Sequence, residues 1–173
     1  MADLSEAIAS GAAEESSLWA DCLVPEPEWQ AVFSLLGEAR YALGLETIYE
    51  GYLVHYGRPR LFASPDEDVA LLLGDYLYAH GLVRIAAGHD VAAVADLSEL
   101  ISLCSQLRAE DADGDGPLWA ATAALLGRGE LDEARSALRL HSDPAPLDAS
   151  ARAAVGDEAV DEALAVHFAR RSA

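Results

Sequence analysis

Residues 64–87 read SPDEDVALLLGDYLYAHGLVRIAA, and this stretch sets the fold class. Ser64 is placed to cap a helix, Pro65 suits its first position, and Glu67 completes a capping box three residues after the cap. No further proline interrupts the stretch. Val69, Leu71, Leu72, Leu73, Tyr76, Leu77, Tyr78, Leu82, Val83 and Ile85 put apolar side chains on every face of the helix. A helix apolar all round lies at the centre of a bundle or spans a bilayer. Asp75, His80 and Arg84 leave no uncharged run of about 18 to 20 residues, so a central bundle helix and no membrane span is expected. Asp75, inside the apolar run, is expected to be buried against a cation, with Arg58, Arg60 and Arg84 as candidates.

Outward from this helix the pattern stays helical. Toward the N-terminus, residues 1–17 are acidic and small, with a short helix from Leu4 to Ser10 stopped by Gly11. Ser17 to Leu23 reads as a turn closed by Pro25 and Pro27. A helix is expected from near Glu28, with a break near Gly37. Gly37, Gly44 and Gly51 lie seven apart, an interval that lets a neighbouring helix approach closely, although glycine weakens helices. Residues 56–63, YGRPRLFA, read as a linker, since proline disfavours helix at Arg58.

Toward the C-terminus, Gly88-His89-Asp90 reads as a turn. Val91 to Arg108 comes next, with an amphipathic stripe that includes Leu97, Leu100 and Leu103. Leu118 to Leu126 is a short helix anchored by Trp119 and ended by Gly127-Arg128-Gly129. Glu130 to Leu140 is the next helix and Ser142 to Pro146 a loop. A last helix opens at Gly156-Asp157, with Arg170 and Arg171 in its final turn, where cations oppose the helix dipole. Strand-like alternation is scarce, so the expected class is all-α, a helical bundle. The 173 residues suffice for one core. The expected division is an acidic tail over 1–19, a helical core over 20–128, and C-terminal helices packed on it over 129–173.

Eleven basic residues against thirty acidic ones give a net charge of −19. That argues against nucleic acid and anionic membrane surfaces as partners and fits an acidic solvated surface or a basic partner. Cys22 and Cys104 lack metal or redox spacing and read as thiols in a reducing compartment. The N-terminus shows neither a basic n-region nor an apolar h-region, so a cytoplasmic location is expected.

Asp111-Ala112-Asp113-Gly114-Asp115-Gly116 has the DxDxDG spacing of half an EF-hand loop. Its twelfth position is Thr122 instead of glutamate, and Pro117 stands at the seventh. Calcium binding and a plain acidic turn both remain open for it. The five histidines, His55, His80, His89, His141 and His167, are scattered, and no nucleophile elbow or phosphate loop occurs. No catalytic, cofactor-binding or metal-binding residue is assigned, and no cofactor is expected.

Leu72-Leu73-Gly74-Asp75-Tyr76-Leu77 resembles the LxGDYL helix of the trans-isoprenyl diphosphate synthases, the polyprenyl synthetase family. Gly57-Arg58-Pro59 resembles that family's RRGxP segment at a fitting interval, and Ala42 to Glu46 with Leu53-Val54-His55 resembles the helix leading into its first aspartate-rich motif. The likeness covers roughly residues 40 to 90 and implies a short member corresponding to the N-terminal half of the fold. Both DDxxD motifs are missing. One alignment deletes the first motif together with its arginines. A gapless one places Glu46 and Glu50 at its outer positions and Thr47 between them. Diphosphate ionisation needs carboxylate-held Mg²⁺ and cations on the leaving group, so catalysis is not expected. The resemblance implies a small accessory or regulatory subunit that pairs as a homodimer, or as a heterodimer with a helical protein such as a prenyl diphosphate synthase. The alternatives are an isoprenoid- or lipid-binding bundle, and a residual prenyl-transfer enzyme using Glu46, Glu50, Asp66 and Asp68. Pairing is expected through the helices around Leu72 to Ile85 and Val91 to Leu107.

Overall fold

The computed structural model describes residues 3–171, and all regular structure among them is helical. The α-helices are α1 (Leu4–Glu15), α2 (Ser17–Asp21), α3 (Ala42–Tyr56), α4 (Glu67–Ala86), α5 (Val91–Ala109), α6 (Asp115–Ala124), α7 (Asp132–His141), α8 (Ala145–Val155) and α9 (Asp157–Arg171). Two short 3₁₀ turns, Phe33–Leu36 and Ala39–Tyr41, lead into α3, and a single β-bridge joins Leu23 to Phe62. The expected all-α class is therefore what the chain adopts. Residues 28–32 are not helical, so the helix expected from Glu28 begins only at Ala42.

The central helix is α3, not α4. Every residue from Gly44 to Leu53 is buried. α4 lies antiparallel along it, held close by two glycine pairs. A Cβ on Gly81 would stand 2.4 Å from Ile48 Cγ1 and 3.0 Å from the Gly44 carbonyl oxygen. A Cβ on Gly51 would stand 3.0 Å from the Gly74 carbonyl oxygen. The seven-residue glycine interval of α3 thus meets a second such interval in α4, and the backbones touch where side chains are absent.

α4 opens at Asp66, not Ser64: the Asp66 carboxylate accepts from the Val69 N–H at 2.9 Å, while the Ser64 hydroxyl donates to the Asp66 carbonyl. Leu73, Leu77, Tyr78 and Ile85 face the core, but Leu71, Leu72 and Val83 face solvent. By length and composition α4 is the one helix among the described residues apolar enough to cross a membrane. In the fold it lies against α3, and Asp75 and Arg84 sit within its run.

The described part of the acidic stretch over 1–19 is largely helical and packs on the bundle. α1 runs through Gly11 to Glu15, because a glycine there leaves room for Arg84, whose guanidinium donates to the Ala7 carbonyl. Ile8 and Ala12 join Cys22, Leu61, Phe62, Leu73 and Leu77 in a satellite core. Residues 56–63, expected to be a linker, bury Arg60, Leu61 and Phe62 instead. At the other end, α6 buries Trp119 against Phe33 and packs on α8. α8 begins inside the segment expected to be a loop, since Pro146 occupies its first turn, where a missing N–H costs nothing. The amphipathic stripe of α5 points inward: Leu97 and Leu100 are fully buried and Leu103 nearly so. It is core rather than the expected interface.

Candidate functional site

Two buried polar centres meet at α3. The first is built around Arg60, which is fully enclosed together with Glu46 and Glu50, one helical turn apart on α3. Its Nε donates to Glu50 Oε2 at 2.8 Å, its Nη1 to Glu46 Oε2, and its Nη2 to the Glu46 carbonyl at 3.1 Å. The remaining carboxylate oxygens accept from backbone. Glu46 Oε1 takes the N–H groups of Val32 and Ser34 at 2.9 and 3.0 Å, and Glu50 Oε1 takes those of Arg60 and Leu61, both at 2.8 Å. Trp29 and Tyr49 stack on the guanidinium at 4.2 and 5.0 Å. Burial opposes the Arg60 charge, but the two carboxylates more than offset this and raise its pKa. The centre therefore pins residues 30–34 and 60–61 onto α3, using every carboxylate oxygen to do so.

The second centre joins α3, α6 and α9. His167 and Asp115 are fully buried, with His167 Nε2 3.1 Å from Asp115 Oδ2 and His167 Nδ1 3.2 Å from the Tyr49 hydroxyl. An ionised carboxylate only accepts, so Nε2 carries the proton and Nδ1 accepts from Tyr49. Tyr52 also donates to Asp115 Oδ2, and Arg171 Nη1 donates to Oδ1 at 2.7 Å. Burial alone would raise the Asp115 pKa. Hydrogen bonds from His167 and Tyr52, with the charge of Arg171, hold it far below the usual carboxylate range.

The order hydroxyl, imidazole, carboxylate is that of an activated nucleophile. Here the hydroxyl is not activated: burial pushes the Tyr49 phenol well above its ordinary value, and its ring is sealed beneath Phe33 and Trp119. The centre locks α9 to the bundle, aided by Arg58, whose N–H donates to the Arg170 carbonyl and whose guanidinium donates to that of Ala169.

Several expected site residues fall elsewhere. Asp75 is not buried: its side chain is 67% exposed, and its partner is His55 at 3.3 Å rather than Arg58, Arg60 or Arg84. Arg60 serves Glu46 and Glu50, and Arg84 donates to Thr47 at 3.1 Å. Of the four carboxylates of the residual-enzyme reading, Glu46 and Glu50 are saturated and Asp66 caps α4. The acidic loop is not arranged around a cation site either, since the Arg171 guanidinium bridges Asp113 and Asp115. Among the described residues no group of three or more metal-ligating side chains converges. In the sequence His167 is one of five scattered histidines, and no local spacing links it to Asp115, 52 residues away.

No family model, no curated protein and no solved structure matches this chain.

Proposed function

We propose that this chain is a non-catalytic, isoprenyl-synthase-like helical protein that acts as a small accessory or regulatory subunit of a helical partner, such as a prenyl diphosphate synthase, in the cytoplasm. The likeness of Leu72 to Leu77 and Gly57 to Pro59 to that family supplies the partner class. One observation carries the non-catalytic part. Glu46 and Glu50, which the gapless alignment places at the outer metal-binding positions, spend all four carboxylate oxygens on Arg60 and on four backbone N–H groups. A carboxylate so engaged has no lone pair directed at solvent with which to hold Mg²⁺ at its required octahedral geometry.

The lipid-binding reading has less support. The groove between α9 and residues 30–36 has a cavity volume of about 80 Å³, and the larger hollows elsewhere, about 330 to 580 Å³, are shallow and lie open to solvent, so none encloses a ligand. A site for a molecule of that size class takes roughly 300 Å³ or more. The test of the main reading is an assay of the purified chain with an allylic diphosphate and isopentenyl diphosphate, with and without Mg²⁺. No condensation product is expected. Magnesium-dependent turnover that disappears in Glu46→Gln would overturn the proposal.

A further inference from the structure

The outer face of α4 is the feature that the packing leaves unexplained. Leu72, Asp75, Ala79, Val83 and Ala86 succeed one another at three- and four-residue steps and share one exposed face, with Leu71 beside it. Leu71, Leu72 and Val83 are 56%, 55% and 64% exposed. The C-terminal helices do not reach this face: α8 packs on α6 and α9, and α7 packs on α8.

The charges around it are of one sign. Asp68 and Asp75 lie on the exposed face itself, and Glu15 of α1 acts on Tyr76 and His80 at its edge. The one arginine of α4, Arg84, is turned inward to Thr47 and the Ala7 carbonyl, and His55 is engaged by Asp75. A second copy of this chain would bring the same carboxylates together, on a molecule of net charge −19. An anionic membrane meets the same repulsion. The apolar line is also narrow, three large side chains, against the roughly 800 Å² per partner that a stable globular interface buries. It fits a single helix laid along it.

We infer that the outer face of α4 docks a cationic amphipathic helix of a partner protein, its apolar stripe on Leu71, Leu72 and Val83 and its lysines or arginines on Asp68, Asp75 and Glu15. This deepens the subunit reading, on which it rests for the existence of a partner. The probe is a synthetic 20-residue helix with a leucine stripe and lysine flanks, compared with the same helix bearing glutamate flanks, each titrated with the full chain by fluorescence anisotropy.

The lysine helix is expected to bind and the glutamate helix not. Leu72→Ser/Val83→Ser and Asp68→Asn/Asp75→Asn should each weaken binding by about tenfold or more, with unchanged circular dichroism. Leu35→Ser/Leu140→Ser, at exposed leucines elsewhere, should bind as wild type does. Equal binding of both helices, or indifference to Leu72→Ser/Val83→Ser, overturns the inference. So does a concentration-dependent dimer, or binding to anionic vesicles, that depends on Leu72 and Val83. Prenyl turnover by the isolated chain would sink the subunit reading and leave helix binding standing, whereas loss of helix binding without turnover sinks this inference alone.

Discussion

Replacing Arg60 with methionine leaves Glu46 and Glu50 enclosed in the core with no cation between them. Breaking a buried pair in this way costs about 3 to 5 kcal/mol, because an unpaired charge stays out of water. Buried ion triads can often be exchanged for apolar residues with no loss. Here the second oxygen of each glutamate accepts two backbone N–H groups, from Val32, Ser34, Arg60 and Leu61. Exchanging all three side chains for methionine orphans those four donors, and each unsatisfied donor costs about 1 to 3 kcal/mol. A triple variant Glu46→Met/Glu50→Met/Arg60→Met should therefore lie at least about 4 kcal/mol below wild type. Glu46→Gln/Glu50→Gln/Arg60→Met removes the same charges but keeps a carbonyl acceptor at each position, and should recover most of that loss. Urea unfolding monitored by circular dichroism at 222 nm ranks the variants. If the methionine and glutamine triples unfold at the same midpoint, the carboxylates are not holding the 30–34 and 60–61 segments, and the reasoning fails.

The packing and hydrogen bonding fix the sign of four further changes. Gly81→Ala gains helix propensity of about 1 kcal/mol, but its Cβ would press within 2.4 Å of the buried Ile48 Cγ1. Net destabilisation of about 1 to 2 kcal/mol is expected in thermal melts. Asp115 has a depressed pKa in the folded state, so its contribution is full above the unfolded carboxylate value of about 4 and is lost as pH falls further. Asp115→Asn should flatten the acid limb of a stability-against-pH profile, and an unchanged slope counts against an ionised Asp115 carboxylate held by His167, Tyr52 and Arg171. Leu100→Asp should abolish folding, since Leu100 is fully buried, whereas Asp75→Ala should shift stability by no more than about 0.5 kcal/mol; equal melting temperatures for the two variants would refute the assignment of core and surface.

The fold class was legible because proline and glycine punctuate apolar runs of helical length along the chain. Which helix lies at the centre was not. Hydropathy favours α4, with its uninterrupted run Val69 to Leu73, over α3, whose apolar residues are interrupted by Glu46, Glu50 and His55. α3 is buried because its acids find Arg60 and four backbone donors in segments that carry no periodic signal. Two glutamates one turn apart among tyrosines and leucines, with an arginine beside a proline ten residues on, were the available hint. Half of the glycine contact was readable from Gly44 and Gly51; Gly74 and Gly81, at the same spacing, complete it. Pro144 and Pro146, read as part of a loop, instead begin α8. The pairing of His167 with Asp115 depends on how α9 returns across α6, which no local pattern encodes.

A calorimetric titration of the purified chain with Mg²⁺ in the presence of inorganic diphosphate tests most directly the claim that these carboxylates are structural. No saturable heat of binding is expected, because Glu46 and Glu50 already hold Arg60 and four backbone N–H groups. Stoichiometric magnesium binding that vanishes in Glu46→Gln or Glu50→Gln would contradict it.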